Sequence, residues 1–308
     1  MRKIVCTKNL EHSLWLQYRK QGIGGSDAGA ICGLNPYRTA MHVYCDKTSD
    51  STEELDNEAM RQGREFEEYV AMRFTEATGK KVRRANFMYC STDYPFMIAD
   101  VDRMVVGENA GLECKTASPY MAEKWKDGKM PLSYQIQCYH YMAVCNADAW
   151  YLAVLIYGKE FKYYRIERDE EIIADLIRIE KDFWEDHVMK KVLPEPDGSK
   201  MADSIIAEYF QNTNHRTIML TGFDEQLRRR QELVEIIDRM ETEKKQIEQK
   251  LKIYLGDAEI AENEKFLVSW KSVSSNRIDT EKLKKEEPET YKKYLKSTQY
   301  RRLSVQAA

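Results

Sequence analysis

No two of the seven cysteines are spaced as C-x-x-C; they are scattered at positions 6, 32, 45, 90, 114, 138 and 145. Neither a disulfide framework nor a cysteine-built zinc site follows from an odd, dispersed set, and reduced thiols fit a cytoplasmic protein. Long hydrophobic runs are missing as well. The longest, at 150–157, is far too short for a bilayer, which takes roughly 20 apolar residues. The N-terminal MRKIVCTKNLEH lacks the apolar stretch of a secretory signal. Charge of one sign is also lacking: 48 Lys and Arg stand against 51 Asp and Glu, a formal net charge of −3. This excludes a wholesale basic nucleic-acid binder and leaves any such contact to local patches. No internal repeat is visible.

What is present fits one sizeable domain with a smaller appendage, since 43% of the 308 residues are hydrophobic. Residues 1–40 carry Arg2, Lys3, Lys8, Arg19, Lys20 and Arg38 against Glu11 and Asp27, a local +4 from six less two. Lys80, Lys81, Arg83 and Arg84 form a second basic cluster; either group also fits an ordinary solvated face. Patterning predicts helices at 11–20 and from Ser26, as N-cap, to Gly33. A long helix at 57–78 keeps Met60, Gly63, Phe66, Val70 and Phe74 on one face. Strands follow at 87–90, 97–106 and 111–116, then a helix opened by Pro119 and another at 132–145. A hairpin about Gly158-Lys159 pairs 150–157 with 161–166, and a helix at 170–190 completes residues 1–200. The order implies an α/β (α+β) fold, a mixed central sheet flanked by helices.

Residues 201–222 read as a linker that includes the polar stretch 211–215. At 223–256 Leu233, Ile237, Met240, Ile247, Leu251 and Tyr254 recur at alternating spacings of three and four, interrupted by Lys244, as in a coiled-coil seam. That seam could close on its own chain or recruit a partner. Residues 257–308 read as a small α+β region with strands at 266–272 and 300–305 and helices around Pro288.

The informative stretch runs from Ile98-Ala-Asp-Val-Asp102 to Gly111-Leu-Glu113-Cys-Lys115. Alternate strand residues share a face, so Glu113 and Lys115 point away from Leu112 and Cys114. A tight turn through 107–110 would bring Asp102 beside them. Two carboxylates with a main-chain carbonyl between them suit magnesium, and the lysine can orient water or neutralise a phosphate. Taken alone the pattern is common in so acidic a chain and equally fits a hairpin with a cross-strand ion pair. Asp100 is a rival ligand. Glu67 lies on the apolar face of its helix, where a carboxylate needs either an arginine or a metal. Gln135 and Gln137 stand among apolar residues and fit either a core amide or a site residue.

Ordered pieces then accumulate: Trp15-x3-Arg19, Gly22-Ile-Gly-Gly-Ser26-Asp, Gly33-Leu-Asn-Pro-Tyr37, Gly63-x3-Glu67, Ala99-x2-Asp102, Gly111-Leu-Glu113-x-Lys115 and Gln135-x-Gln137. On these the chain resembles the YqaJ-type viral recombinase family, related to lambda exonuclease within the PD-(D/E)XK nuclease superfamily, over roughly residues 10–200. The resemblance implies a restriction-endonuclease-like sheet and a 5′–3′ exonuclease that resects double-stranded DNA ends for recombination by single-strand annealing. It implies metal binding by Asp102, Glu113 and Glu67, catalytic help from Lys115 and Gln135, and a 5′-phosphate held by Arg19 and Ser26. Mg²⁺, with Mn²⁺ as substitute and two ions per site, is the implied cofactor. A phage annealing protein and a homotrimeric ring are the implied partners. Two positions depart from the family pattern: Arg103 stands where glycine is usual after the motif aspartate, and Leu132 where a tyrosine is expected. An iron–sulfur nuclease is disfavoured because no cysteine follows Cys145; a non-catalytic DNA-binding scaffold is disfavoured by the intact Asp102, Glu113 and Lys115.

Overall fold

The computed structural model describes residues 1–49, 57–214, 216–298 and 300–306, so His215 of the expected linker lies outside the described residues. The chain divides into two compact units, Met1–Tyr209 and Phe210–Ala308.

The first unit begins with a strand missed by the sequence reading, β1 (Arg2–Cys6), then α1 (His12–Arg19), α2 (Gly25–Ile31) and the unforeseen α3 (Ala40–Thr48). The long helix α4 (Glu58–Thr78) starts where the Asn57 side chain accepts from Met60 N and stops at Gly79 with φ 71°. Short strands follow: β2 (Val82–Arg84), β3 (Phe87–Cys90), β4 (Ile98–Asp100), β5 (Arg103–Val105) and the eight-residue β6 (Ala110–Ala117). A 3-10 turn (Pro119–Trp125) replaces the expected helix and leads to α5 (Leu132–Cys145). Strands β7 (Ala149–Ile156) and β8 (Glu160–Glu167) form the expected hairpin; α6 (Glu170–Phe183) runs into a π-helical turn, Trp184–Met189.

These strands make two sheets, β1-β3-β4 and the mixed β2-β5-β6-β7-β8, in which only β6 and β7 are parallel. The single strand expected at 97–106 is therefore two strands in different sheets. Its break at Val101-Asp102 is the crossing between them.

Helices cover both faces of the larger sheet. On one, Val70, Ala71 and Phe74 of α4 pack against Leu112, Tyr151 and Ala153. On the other, Cys138, Tyr141 and Met142 of α5 pack against Trp150, Leu152 and Val154. The period of two thus sends Leu112 toward α4 and leaves Glu113 and Lys115 facing α5. Gly111 is required by close approach, since a Cβ there would meet the Trp150 ring at 2.2 Å.

Residues 201–209, expected as linker, belong to helix α7 (Lys200–Tyr209), which packs on α3 and buries Ala202. In the second unit the expected long helix is α8 (Asp224–Leu255). Its seam is uncovered, Ile237 and Met240 being 58% and 61% exposed. The strand expected at 266–272 shortens to β10 (Leu267–Ser269), paired with β9 (Ile260–Glu262); α9 (Thr280–Glu286) and α10 (Pro288–Tyr294) flank Pro288. Residues 300–306 form no strand, contrary to expectation. Leu255 is the one buried apolar residue after Ala202 among the described residues.

The core thus predicts where the chain can be cut. A chain ending at Tyr209 should melt cooperatively by circular dichroism, while one ending at residue 199, lacking α7, should melt at least about 3 °C lower. Equal melting temperatures would contradict the assignment of α7 to the first unit.

Candidate active site

Asp102 and Glu113 meet at the crossing between sheets. Asp102 Oδ2 accepts from Cys114 N at 2.7 Å, so β6 itself pins the aspartate. Glu113 is 3% exposed; its Oε1 accepts from Lys115 Nζ at 2.6 Å and from Gln137 Nε2 at 2.7 Å. Its Oε2 is buried with no hydrogen-bond partner among the described residues. Burial, then the Glu113 and Glu67 charges, pushes Asp102 well above the usual carboxylate range. Burial also raises Glu113, against the pull of Lys115. On Lys115 burial opposes the charge, but Glu113, Tyr134 and Asp102 outweigh it and hold an ammonium. Its Nζ lies 4.9 Å from the centre of the Tyr134 ring.

Glu67 reaches this site from α4 through the family-atypical Arg103. The Arg103 side chain, 4% exposed, pairs with Glu67 and, at 2.9 Å, with Glu68, and donates to Asp102 O at 2.8 Å. The turn that glycine would supply by flexibility is here fixed by a buried guanidinium. Asp100, the rival ligand, lies close enough for its charge to raise Glu113, and its Oδ2 accepts from Trp15 Nε1 at 2.5 Å.

The two glutamines separate. Gln137, not Gln135, reaches Glu113, and it also donates to Tyr141 Oη at 3.0 Å. Gln135, expected in the catalytic group, is half-buried, and its side chain makes no hydrogen bond among the described residues. Gln137 lies three residues after Tyr134 and four before Tyr141, so these three share one helical face. That spacing was the signal available in the sequence. His140, which the sequence reading did not single out, is fully buried on the same helix, with Nε2 at 2.8 Å from Ile98 O and Nδ1 at 2.8 Å from Glu180. It braces β4 through the Ile98 carbonyl.

Arg19 and Ser26 are brought together, Arg19 Nη2 donating to Ser26 Oγ at 3.0 Å. Ser26 is exposed, but it is not the helix cap. Gly24 is the cap, and its N–H is occupied by Asp27 Oδ2 at 3.0 Å. With Gly24 as the cap, the helix-start amides are those of Gly25 and Ser26, earlier than a Ser26 cap would place them, beside the Arg19 guanidinium and the Ser26 hydroxyl. Asp27, fully buried, gathers Arg38 at 2.6 Å, Lys47 at 2.7 Å and Arg19 at 3.8 Å. Burial works against its charge, yet the three cations hold it well below the usual carboxylate range. A Cβ on Gly25 would sit 2.6 Å from the Tyr141 ring and 3.0 Å from Gln137 Cγ, so the start of α2 lies one side chain from the partner of Glu113.

Among the described residues no three His, Cys, Asp or Glu side chains form a metal cage by themselves. The residues still fit a hard cation. Glu113 Oε2 is an orphaned buried oxygen, Asp102 and Glu113 repel each other, and a cation taking two carboxylates, a main-chain oxygen and waters is typical of magnesium.

Comparison with known proteins decides the family. Residues 14–148 match the YqaJ-like viral recombinase domain. A Bacillus subtilis protein, "Uncharacterized protein YqaJ", is 39% identical over 308 residues, covering 98% of this chain and 97% of its own. The chain belongs to the YqaJ-like viral recombinase family. Two crystal structures of the alkaline exonuclease LHK-Exo from Laribacter hongkongensis, one in complex with dAMP, share the fold. Each matches with TM-score 0.51 and 20% identity over 58% of this chain and 93% of that one. No helix of the described residues is long and apolar enough to cross a membrane.

The raised Asp102 carboxyl gives a signed prediction for the metal-free protein. A carboxyl whose folded pKa lies above its unfolded value contributes stability that is full below the ordinary carboxylate range and lost as pH rises through the folded pKa. Asp102→Asn keeps an oxygen for Cys114 N, so in EDTA its melting temperature should exceed that of the wild type at pH 8 and match it near pH 4. Mg²⁺ should stabilise the wild type and not the variant. A variant that melts lower at pH 8 would show that the ionised aspartate is not strained there.

Proposed function

We propose that the protein is a metal-dependent DNA exonuclease that resects double-stranded ends from a 5′ terminus during phage-type recombination. The observation that carries this is the buried Asp102–Glu113–Lys115 group with one carboxylate oxygen left unpartnered. A divalent cation bound there, Mg²⁺ or Mn²⁺ and two per site by family resemblance, would supply positive charge to the phosphate oxygens under attack. The chain's own groups do the rest. Gln137 and Lys115 fix the Glu113 carboxylate, and Cys114 N fixes Asp102. Lys115, which Glu113, Tyr134 and Asp102 favour as an ammonium, can donate a hydrogen bond and positive charge to the attacking water or the phosphate. Arg103 holds Glu67 and so keeps a third carboxylate beside the pair.

End selection rests on Arg19 and Ser26. A guanidinium beside an exposed hydroxyl suits a doubly charged terminal phosphate better than an internal diester. Since the start of α2 packs against Gln137, an end held there lies beside the carboxylates, which makes an exonuclease of one polarity. The family's recombination role favours a single-strand annealing protein as the consumer of the resected strand, and a homo-oligomeric ring as the working form.

Glu113→Ala and Lys115→Ala should each lower Mg²⁺-dependent digestion of linear duplex at least about 100-fold while the fold survives. Full cleavage by either folded variant would sink the site. Asp100→Asn should be much milder than Asp102→Asn. On 5′-labelled duplexes the wild type should prefer a 5′-phosphate over a 5′-hydroxyl, and Arg19→Ala should shrink that preference while the metal requirement persists. Equal rates on both ends, or efficient nicking of closed circles, would leave an endonuclease of the same fold.

A further inference from the structure

Tyr120 is 95% exposed, more than any other large apolar or aromatic side chain described in residues 1–209; Tyr37 and Met189 follow at 67% and 66%. An aromatic ring normally gains by burial, and one held almost wholly in water on a fixed backbone offers both faces to a ligand. The backbone here is fixed. Tyr120 lies in the 3-10 turn Pro119–Trp125, begun by a proline and closed by Met121 N donating to Ser118 O at 3.0 Å. Two residues anchor the turn inward: Ala122 is 5% and Trp125 1% exposed. The Trp125 carbonyl accepts from Lys162 Nζ and Tyr164 Oη, both at 2.8 Å.

The same anchor leads to the candidate active site. Trp125 stacks on Tyr134 with ring centres 5.8 Å apart, and Lys115 Nζ lies 4.9 Å from the centre of the same Tyr134 ring. Tyr120 also follows Lys115 by five residues along the continuation of β6, so their Cα atoms are within roughly 18 Å, about five nucleotide steps along one DNA strand. Lys124 and Lys129, both exposed and without an ion pair among the described residues, stand on the same segment and suit phosphate contacts.

We propose that Tyr120 is a stacking platform for a nucleobase of the DNA held at the Asp102–Glu113–Lys115 site. This rests on the nuclease reading above. Stacking on an aromatic face needs no particular base, which suits an enzyme that must pass every sequence, and it favours a base already out of its pair. The ring would therefore hold the strand at the junction of single and double strand rather than read it.

The test uses the full chain, with 5′-phosphorylated duplexes carrying 2-aminopurine at each of the first six positions of either strand. Binding is measured in EDTA by anisotropy and by 2-aminopurine fluorescence, and cleavage separately with Mg²⁺. Tyr120→Ala should melt with the wild type, weaken end binding at least about fivefold, and lose fluorescence quenching at one or two adjacent labelled positions. Tyr120→Phe and Tyr120→Trp should stay within about twofold of wild type, because the ring face and not the hydroxyl is used. Wild-type affinity and quenching in Tyr120→Ala, beside intact wild-type cleavage, would overturn the stacking role alone. Tyr120→Phe as weak as Tyr120→Ala would overturn it in favour of a hydroxyl contact. Quenching at positions whose label lies deep in paired duplex would overturn the junction in particular. A wild type that neither binds duplex ends nor cleaves them with Mg²⁺ would overturn the nuclease reading and this proposal with it.

Discussion

Two carboxylates placed side by side in the interior repel each other and resist ionisation, and much of the first unit is arranged to keep Asp102 and Glu113 there regardless. The aspartate is tied to the strand that carries the glutamate, through Cys114 N. The glutamate is tied to the helix over it, through Gln137. Lys115 answers part of the charge, and Arg103 answers Glu67 and Glu68 rather than the pair itself. What remains is an unpartnered Glu113 Oε2 and two carboxyls shifted upward. A structure built only for stability would gain by replacing either acid. Their retention makes sense if a cation supplies the missing charge.

The fold follows from that constraint. Separate sheets are needed so that β4 can be braced at two points, by Trp15 on Asp100 and by His140 on the Ile98 carbonyl, before the chain crosses to β5 through Asp102. Helix α5 is the hub. Gln137 holds Glu113, Tyr141 donates to Asp100 O at 3.2 Å, His140 holds β4, and Tyr134 walls in Lys115. The glycine at 25 lets α2 press on the same helix, which brings the Arg19–Ser26 edge toward Gln137, the partner of Glu113.

Much of this was legible in the sequence where period and chemistry agree. The alternation in Leu112-Glu113-Cys114-Lys115 gave the facing of the acid and the lysine, and the helical spacing of Glu67 required a partner that proved to be Arg103. The boundaries of α5 and α8 followed from uninterrupted patterns. Three things were not legible, for physical reasons. The break at Val101-Asp102 leaves no mark, because both halves are short apolar strands and only their partners differ. Which of Gln135 and Gln137 hydrogen-bonds Glu113 turns on which face of a helix that is apolar nearly all round meets the sheet. The capping of α2 by Gly24 rather than Ser26 depends on Asp27, whose buried carboxylate accepts from the Gly24 amide.

The central claim is that Asp102 and Glu113 form one cation site completed by the chain's own backbone and water. Crystals of the full chain soaked in Mn²⁺, with anomalous diffraction measured at the manganese edge, test it most directly. The account predicts anomalous density at the Asp102–Glu113 pair, lost in Glu113→Gln while Arg19 and Ser26 stay in place. Manganese bound elsewhere, with that pair left unliganded, would contradict it.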